Sequence, residues 1–544
     1  RKNSLLEVLD HTVTAMGARL LRAWILQPLQ DHQSIISRQE AIEAILNSTS
    51  KVFQPLKHVK DLERLMMRIE TFIATPRDLL AIRISLEHLP DLKAVLKEFD
   101  SPLIQQLNDK IFELKELVKY LKMAINDEVP VKISDGGVFK TGFNKKLDEL
   151  RGIGLDGKSW LLDYQNKLRE ETGIKTLKVS FTSAFGYFIE VSKGQAVKMP
   201  SEFQRRQTLV NAERYTTPAL KEYEEKVLSA EDLRIKLENE LFKELCTHIS
   251  SCSIHINCIA KAIAEIDCLT ALSYVAKYFN YSKPIIDNSP LLNILSGRHP
   301  IIEASLLEQS FTPNDTVLND HDSKLMILTG PNMAGKSTYI RQVALITLMA
   351  HMGSFVPAKF AHIGLVDKIF TRIGASDDLS RGQSTFMVEM TETANILNHA
   401  TSKSLIILDE IGRGTSTYDG ISIAWSTAEY LLTYLKSRTL FATHYFELTA
   451  LEEEHLGAIN FNVLVSEDKE GITFLHKISK GSAAKSYGIH VAKLAGMPIS
   501  VVERAKAILL DLESSYGKDR QTLVPGKKNK AKKDESQMLL FSHV

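Results

Sequence analysis

Only four cysteines are scattered through 544 residues, far too few for the disulfide framework of small secreted domains. Cys246, Cys252, Cys258 and Cys268 lie at intervals of six, six and ten inside one helical pattern, unlike the paired C-x-x-C of a zinc site. They read as small apolar packing residues in a reducing compartment. Also missing is any run near the ~18 consecutive apolar residues a membrane helix needs, and the N-terminus has neither an apolar h-region nor a small-residue cleavage site. A soluble, cytoplasmic protein with no membrane partner is expected. Charge of one sign is absent as well: 67 Lys+Arg against 66 Asp+Glu leave +1, so any attraction to nucleic acid must come from a local patch. With Pro 16 and Gly 27, collagenous, mucin-like and wholly disordered classes are excluded. The first residue is Arg1, which leads to the expectation that the sequence begins inside a longer polypeptide.

What is present is several domains' worth of patterned chain. From Leu5 to about Met123 apolar residues recur every three or four positions, as in Leu62, Leu65, Met66, Ile69 and Ile73, which predicts a helical domain. No Gly or Pro falls between Pro218 and Pro284, and Leu233, Leu237, Leu241, Leu245, Ile249, Cys252, Ile256, Ile259, Ile263 and Ile266 keep one apolar stripe. A continuous helix there would span roughly 90 Å; the pattern favours such a lever over two helices joined without a visible break. Between the helical blocks, Thr176–Ser180 alternates and Tyr187–Ser192 is aromatic and β-branched, with Ser183–Gly186 as a turn, so a small β-rich insertion is expected. From Pro284 onward, short apolar runs at 325–328, 405–408 and 439–442 each precede a helical pattern, predicting buried parallel strands crossed by helices, an α/β domain.

The string Gly330-Pro331-Asn332-Met333-Ala334-Gly335-Lys336-Ser337 fits G-x-x-x-x-G-K-[ST], directly after a predicted strand and opening a predicted helix. In such a loop the backbone N–H groups and helix N-terminus face phosphates, Lys336 reaches the β- and γ-phosphates of ATP, and Ser337 offers its hydroxyl to Mg²⁺. The apolar run 405–408 ends in Asp409-Glu410, a carboxylate pair that is costly at a buried strand end unless a cation is near. Asp409 is assigned to the Mg²⁺ and Glu410 to polarising the attacking water as general base. His444 follows the next strand, where a polar side chain could sense the γ-phosphate, although an isolated histidine there reads first as a structural hydrogen-bonder.

The longer strings say more. Thr329–Thr338, Leu408–Gly420, Gly297–Pro300, Ser384–Met390 and Ala442–Phe446 resemble, in content and order, the motifs of the MutS family of DNA mismatch-repair ATPases, and the resemblance extends from Leu5 to about Leu510. It implies an ABC-like ATPase domain whose composite sites form across a homodimer, with Ser384 reaching the partner's nucleotide. It further implies that Thr338 joins the phosphate loop, that Phe311 and His476 flank the adenine, and that His444 is the switch histidine. Ser482–Leu510 resembles a dimerising helix-turn-helix. A MutL-like repair partner and a bacterial, nucleoid-associated location follow from the same resemblance. Ala334 stands where many members have glycine, which a loop accepts if φ there is negative. The family's mismatch-reading and connector domains do not precede Leu5, so the expectation is an ATP-driven clamp without its own mismatch reader.

Two further segments carry interaction signals. Thr172–Arg214 holds Lys175, Lys178, Lys193, Lys198, Arg205, Arg206 and Arg214 against three glutamates, an excess suited to sequence-independent contact with the phosphates of double-stranded DNA. The tail Gln537-Met538-Leu539-Leu540-Phe541 follows a lysine-rich stretch and resembles the peptide with which bacterial repair proteins dock on the replication sliding clamp. The expected layout is a helical core and lever in 1–128 and 217–284, a β-rich clamp in 129–216, an α/β ATPase domain in 285–515, and a flexible tail in 516–544. The alternative to a repair ATPase is a DNA-junction scaffold holding nucleotide as a structural ligand, against which Glu410 argues. A third reading, the family's clamp-less recombination-suppressing branch, is disfavoured by the clamp-like insertion.

Overall fold

A computed structural model describes residues 2–182, 186–306, 310–331, 334–374, 385–467, 472–482 and 487–516. Contacts divide the chain into two compact units, one of residues 12–20 and 48–270, the other of 1–11, 21–47 and 271 onward.

The first unit is helical, with one small sheet. Asp61 caps helix Leu62–Glu70 through Arg64 N–H, and the stripe Leu62, Leu65, Met66 and Ile69 is buried as the periodicity predicts. Pro76 opens the next helix, where it needs no N–H partner. Helix Lys145–Thr172 leads into the insertion, which forms four antiparallel strands, β1 (Lys178–Thr182), β2 (Gly186–Ser192), β3 (Gln204–Thr208) and β4 (Ala212–Thr216), in spatial order β1-β2-β4-β3. Its inner face packs Ile189, Val191 and Tyr215 on Leu168, Ile174, Leu177 and Leu220. Trp160 stacks between Tyr164 and Tyr223 at 4.7 and 4.1 Å, so the rings tie helix Lys145–Thr172 to helix Pro218–Ser251 beside the sheet.

The long Gly- and Pro-free stretch is two helices, Pro218–Ser251 and Ser253–Tyr278, and not the continuous lever favoured by the sequence pattern. The break is at Cys252, whose φ −97° and ψ 8° lie outside helical values; helix ends of this kind leave no Gly or Pro to be read. The apolar stripe is buried in its later part only: Leu233 is 52% exposed, while Ile256, Ile259 and Ile263 are fully covered. Where the stripe fails, the buried residue is Glu238, which accepts from Arg151 at 2.8 Å.

In the same unit Asp267, fully buried, accepts from Val13 N–H, Thr14 N–H and Thr14 Oγ1 at 3.0, 2.8 and 2.6 Å. It thereby fixes the start of helix Ala15–Leu26. Gly17 faces this carboxylate with no space for a Cβ.

The second unit holds two sheets. β5 (Ile285–Asp287), β6 (Leu292–Gly297), β7 (Asn314–Leu318) and β9 (Phe360–Gly364) form a mixed sheet in the order β5-β9-β6-β7, which the sequence reading did not separate from the main one. β8 (Leu325–Thr329), β10 (Ile369–Arg372), β11 (Leu405–Asp409), β12 (Arg438–Ala442), β13 (Ala458–Glu467) and β14 (Ile472–Lys480) form the larger sheet, ordered β10-β11-β12-β8-β13-β14. All its pairings are parallel except β13 with β14. β8, β11 and β12 are buried at every residue, which is why they read as unbroken apolar runs and not as alternation. Helices Lys336–His351 and Thr417–Tyr430 follow β8 and β11 as expected, whereas β12 leads only into short turns before Leu451–Glu454. Among the described residues no helix is long and apolar enough to cross a membrane.

Candidate functional site

The carboxyl ends of β8 and β11 lie two strands apart in the larger sheet, with β12 between them. In open α/β sheets such an edge is where ligands bind. From β8 the chain enters a glycine-rich loop in which Gly330 and Gly335 take φ of 136° and 103°, backbone that only glycine adopts without strain. Ala334 is buried and is not among the positive-φ residues, so its methyl is accommodated where the family often has glycine. Asn332 and Met333 lie outside the described residues.

Lys336 is 4% exposed, and its Nζ donates to the carbonyls of Gly330 and Pro331 at 2.7 and 3.0 Å. Burial lowers its pKa, and the carboxylates of Glu410 and Asp409 oppose that shift. Asp409 closes β11; burial raises its pKa, while a hydrogen bond from the Ser337 side chain works the other way. Its Oδ1 is buried with no hydrogen-bond partner. Glu410 takes φ 54°, its N–H donates to Ala442 O at 2.9 Å, and its carboxylate pairs with Arg413 at 2.5 Å. Lys336, Ser337, Thr338, Glu410 and Arg413 line one cavity of about 350 Å³. Glu410 and Arg413 are shared with a second, which reaches Asp409, Arg372 and Glu389.

On the other side, Gly335 and Thr338 border a third cavity of about 310 Å³ that includes Phe311 and His476. His476 Nδ1 lies 2.9 Å from Ala334 O. Its own carbonyl accepts from Asn314 Nδ2 at 2.9 Å, so β14 and the start of β7 are locked beside the loop. His444 leans on Tyr445 with ring centroids 4.2 Å apart; partial burial lowers its pKa and Glu410 pulls it back.

Residues 326–513 match the family model described as MutS domain V, and residues 1–273 match that of MutS domain III. The chain belongs to the MutS family. Proteins named DNA mismatch repair protein MutS are similar along nearly all of it. That of Protochlamydia amoebophila (strain UWE25) is 56% identical over 520 residues, covering 95% of this chain and 61% of that protein. That of Alkaliphilus oremlandii (strain OhILAs) is 49% identical over 527 residues, covering 96% and 60% respectively. The chain thus spans about three fifths of the length of these relatives.

In this MutS-family chain, Pro331, Gly335, Lys336, Ser337, Thr338, Asp409, Glu410, Phe311 and His476 line adjoining cavities. The six basic residues Lys175, Lys178, Lys193, Lys198, Arg205 and Arg206 are all exposed on or beside the small sheet. Arg205 is drawn toward Glu213 at 3.6 Å. Arg214 differs, paired with Glu190 at 3.0 Å over the Phe188 ring. Ser384 and Gln537, Met538, Leu539, Leu540 and Phe541 lie outside the described residues.

Sequence reasoning missed the support of the loop after Glu410. Glu389, 4% exposed, accepts from Gly412 N–H at 2.5 Å, and Tyr445 Oη donates to Gly412 O at 2.8 Å. Arg372 holds the other oxygen of Glu389 at 3.4 Å. Glu389 and Tyr445 both sat inside quoted motifs, but nothing in the string paired them with Gly412. Tyr445→Phe is expected to cost about 1 kcal/mol of local stability, read as faster hydrogen exchange of the peptide covering Gly412; wild-type protection there would show that the Tyr445 hydroxyl does not hold this loop.

Proposed function

We propose that the chain hydrolyses ATP at this cleft and couples nucleotide state to its grip on double-stranded DNA in mismatch repair. The observation that carries the reading is the meeting of the buried Lys336 ammonium with Ser337, Asp409 and Glu410 at one sheet edge. Lys336 is placed for the β- and γ-phosphates of ATP, on which the loop's N–H groups also turn. The orphaned Oδ1 of Asp409 beside the Ser337 hydroxyl suits a hard cation. These two residues would hold Mg²⁺, which when bound neutralises phosphate charge. Glu410 accepts the proton of the attacking water, and His444 reports the γ-phosphate. Phe311 and His476 flank the adenine from the third cavity, whose apolar walls suit a base.

The helices Gly488–Leu494 and Ile499–Tyr516 leave Ile499 and Leu510 70% and 67% exposed, an apolar face that supports dimerisation through the ATPase domains, with Ser384 acting on the partner's nucleotide. We assign 1–128 and 217–284 to core and lever, 129–216 to a DNA clamp, 285–515 to the ATPase domain and 516–544 to a tail whose Gln537–Phe541 peptide docks on the sliding clamp. A MutL-like protein is the repair partner, and the cytoplasm, at the nucleoid, is the location.

The test is phosphate release from ATP and Mg²⁺ with and without duplex DNA. Stimulated turnover supports the reading; nucleotide binding without turnover would favour the junction-scaffold alternative. Contact through the exposed basic residues has its own signature. Lys193→Gln/Lys198→Gln is expected to reduce the slope of log affinity against log salt by about 1.8, two phosphate contacts at ~0.9 each. An unchanged slope would remove these lysines from the interface.

A further inference from the structure

At the opposite edge of the larger sheet, where β8, β11 and β12 begin, lies a cavity of about 380 Å³ whose lining includes Lys324, Lys403, Lys436 and Arg438. Five-residue strands at ~3.3 Å per residue put it roughly 15 Å from the nucleotide cleft. Its floor is unusual. Arg438 is 3% exposed, and its two Nη groups donate to the carbonyls of Gly364, Leu365 and Lys403 at 2.7–2.9 Å. Its Nε is buried with no hydrogen-bond partner.

All three acceptors are neutral, so the guanidinium is a buried charge without a bonded counter-ion, an arrangement that is costly unless an anion compensates it. Burial lowers its pKa to about 10, with Asp367 opposing. Asp367 is itself engaged, accepting from Thr401 and Ser404 hydroxyls at 2.6 and 2.8 Å. Around the rim the three lysines face one carboxylate, Asp320, which lies 3.3 Å from His321. Lys436 sits there as the left-handed C-cap of the helical segment Leu431–Leu435, φ 54°.

We propose that this cavity is a binding site for a compact, multiply charged phosphate such as pyrophosphate. The class follows from which donors remain. Arg438's planar fork, the group that matches a carboxylate in two parallel bonds, is committed to backbone carbonyls; its uncompensated charge beneath the floor and three ammonium point charges at the rim remain, which suit a phosphate. Leu365 and Pro290 are the lining's apolar residues and no ring is present to stack a base, so a nucleoside portion has no place. The site does not depend on the nucleotide reading of the opposite edge.

The test is calorimetric titration of pyrophosphate into the Lys336→Ala chain, which removes the ammonium of the glycine-rich loop, compared with Lys336→Ala carrying Lys403→Glu and Lys436→Glu, so that any binding left to the loop's N–H groups is common to both and only the difference reports this cavity. The last two residues are exposed, and an unchanged thermal melt confirms the fold. Saturable binding of about one pyrophosphate per chain is expected, weakened about tenfold or more by the charge reversals, as loss of two charge-assisted contacts implies. No saturable binding, or equal binding by both proteins, would overturn the site. Citrate binding as tightly as pyrophosphate would overturn its assignment to phosphate.

Discussion

Glu410→Gln is expected to lower the proposed ATP turnover by about 10²–10⁴-fold, the range by which a positioned general base accelerates reaction, while leaving ATP affinity within a few-fold. The amide keeps the size of the side chain and its hydrogen-bonding to Arg413, now 2.5 Å from the carboxylate, but cannot take a proton from water. Glu410 is held in place by its backbone, with φ 54° and its N–H on Ala442 O, and the next loop residues are clamped at Gly412 by Glu389 and Tyr445. Single-turnover phosphate release alongside nucleotide titration separates chemistry from binding. Turnover at the wild-type rate would take Glu410 out of the chemical step.

Asp267→Ala has the largest expected structural effect, about 3–5 kcal/mol, because three donors, two of them buried and one half-buried, lose their acceptor and each orphaned buried group costs about 1–3 kcal/mol. Val13 N–H, Thr14 N–H and the Thr14 hydroxyl are those donors, and the Thr14 hydroxyl in turn accepts from Gly17 N–H at 3.0 Å. Asp267→Asn keeps one carbonyl acceptor and should lose about half as much. A chain with two compact units need not unfold in one step, so the measurement is hydrogen exchange of the peptide covering residues 12–20. Protection equal to wild type in Asp267→Ala would show that the carboxylate does not hold this segment.

Both predictions concern residues the sequence treats very differently. The place of Glu410 just past the end of β11 was legible because two carboxylates close an apolar run that follows a glycine-rich loop by some seventy residues. Lys336, Ser337 and Asp409 were legible for the same reason. Asp267 was not, since an acidic residue within an apolar helical pattern gives no hint that a loop more than 250 residues away in sequence will bring it three donors. The break at Cys252 escaped too, because neither a Gly nor a Pro marks it. Leu233 belongs to the apolar stripe by periodicity and is exposed, for periodicity says which face is apolar and not whether anything covers it.

By itself, then, the sequence determined the element types, the glycine-rich loop, the strand-end carboxylates and the basic insertion, all of which are set by local backbone chemistry or by composition within a short window. Only tertiary structure decided that Glu389 and Tyr445 clamp Gly412, that His476 meets Ala334 across 142 residues of chain, and that Arg438 lies buried among carbonyls at the far edge of the sheet. Those contacts arise from strand order and chain crossings, which bring together groups that no spacing rule relates.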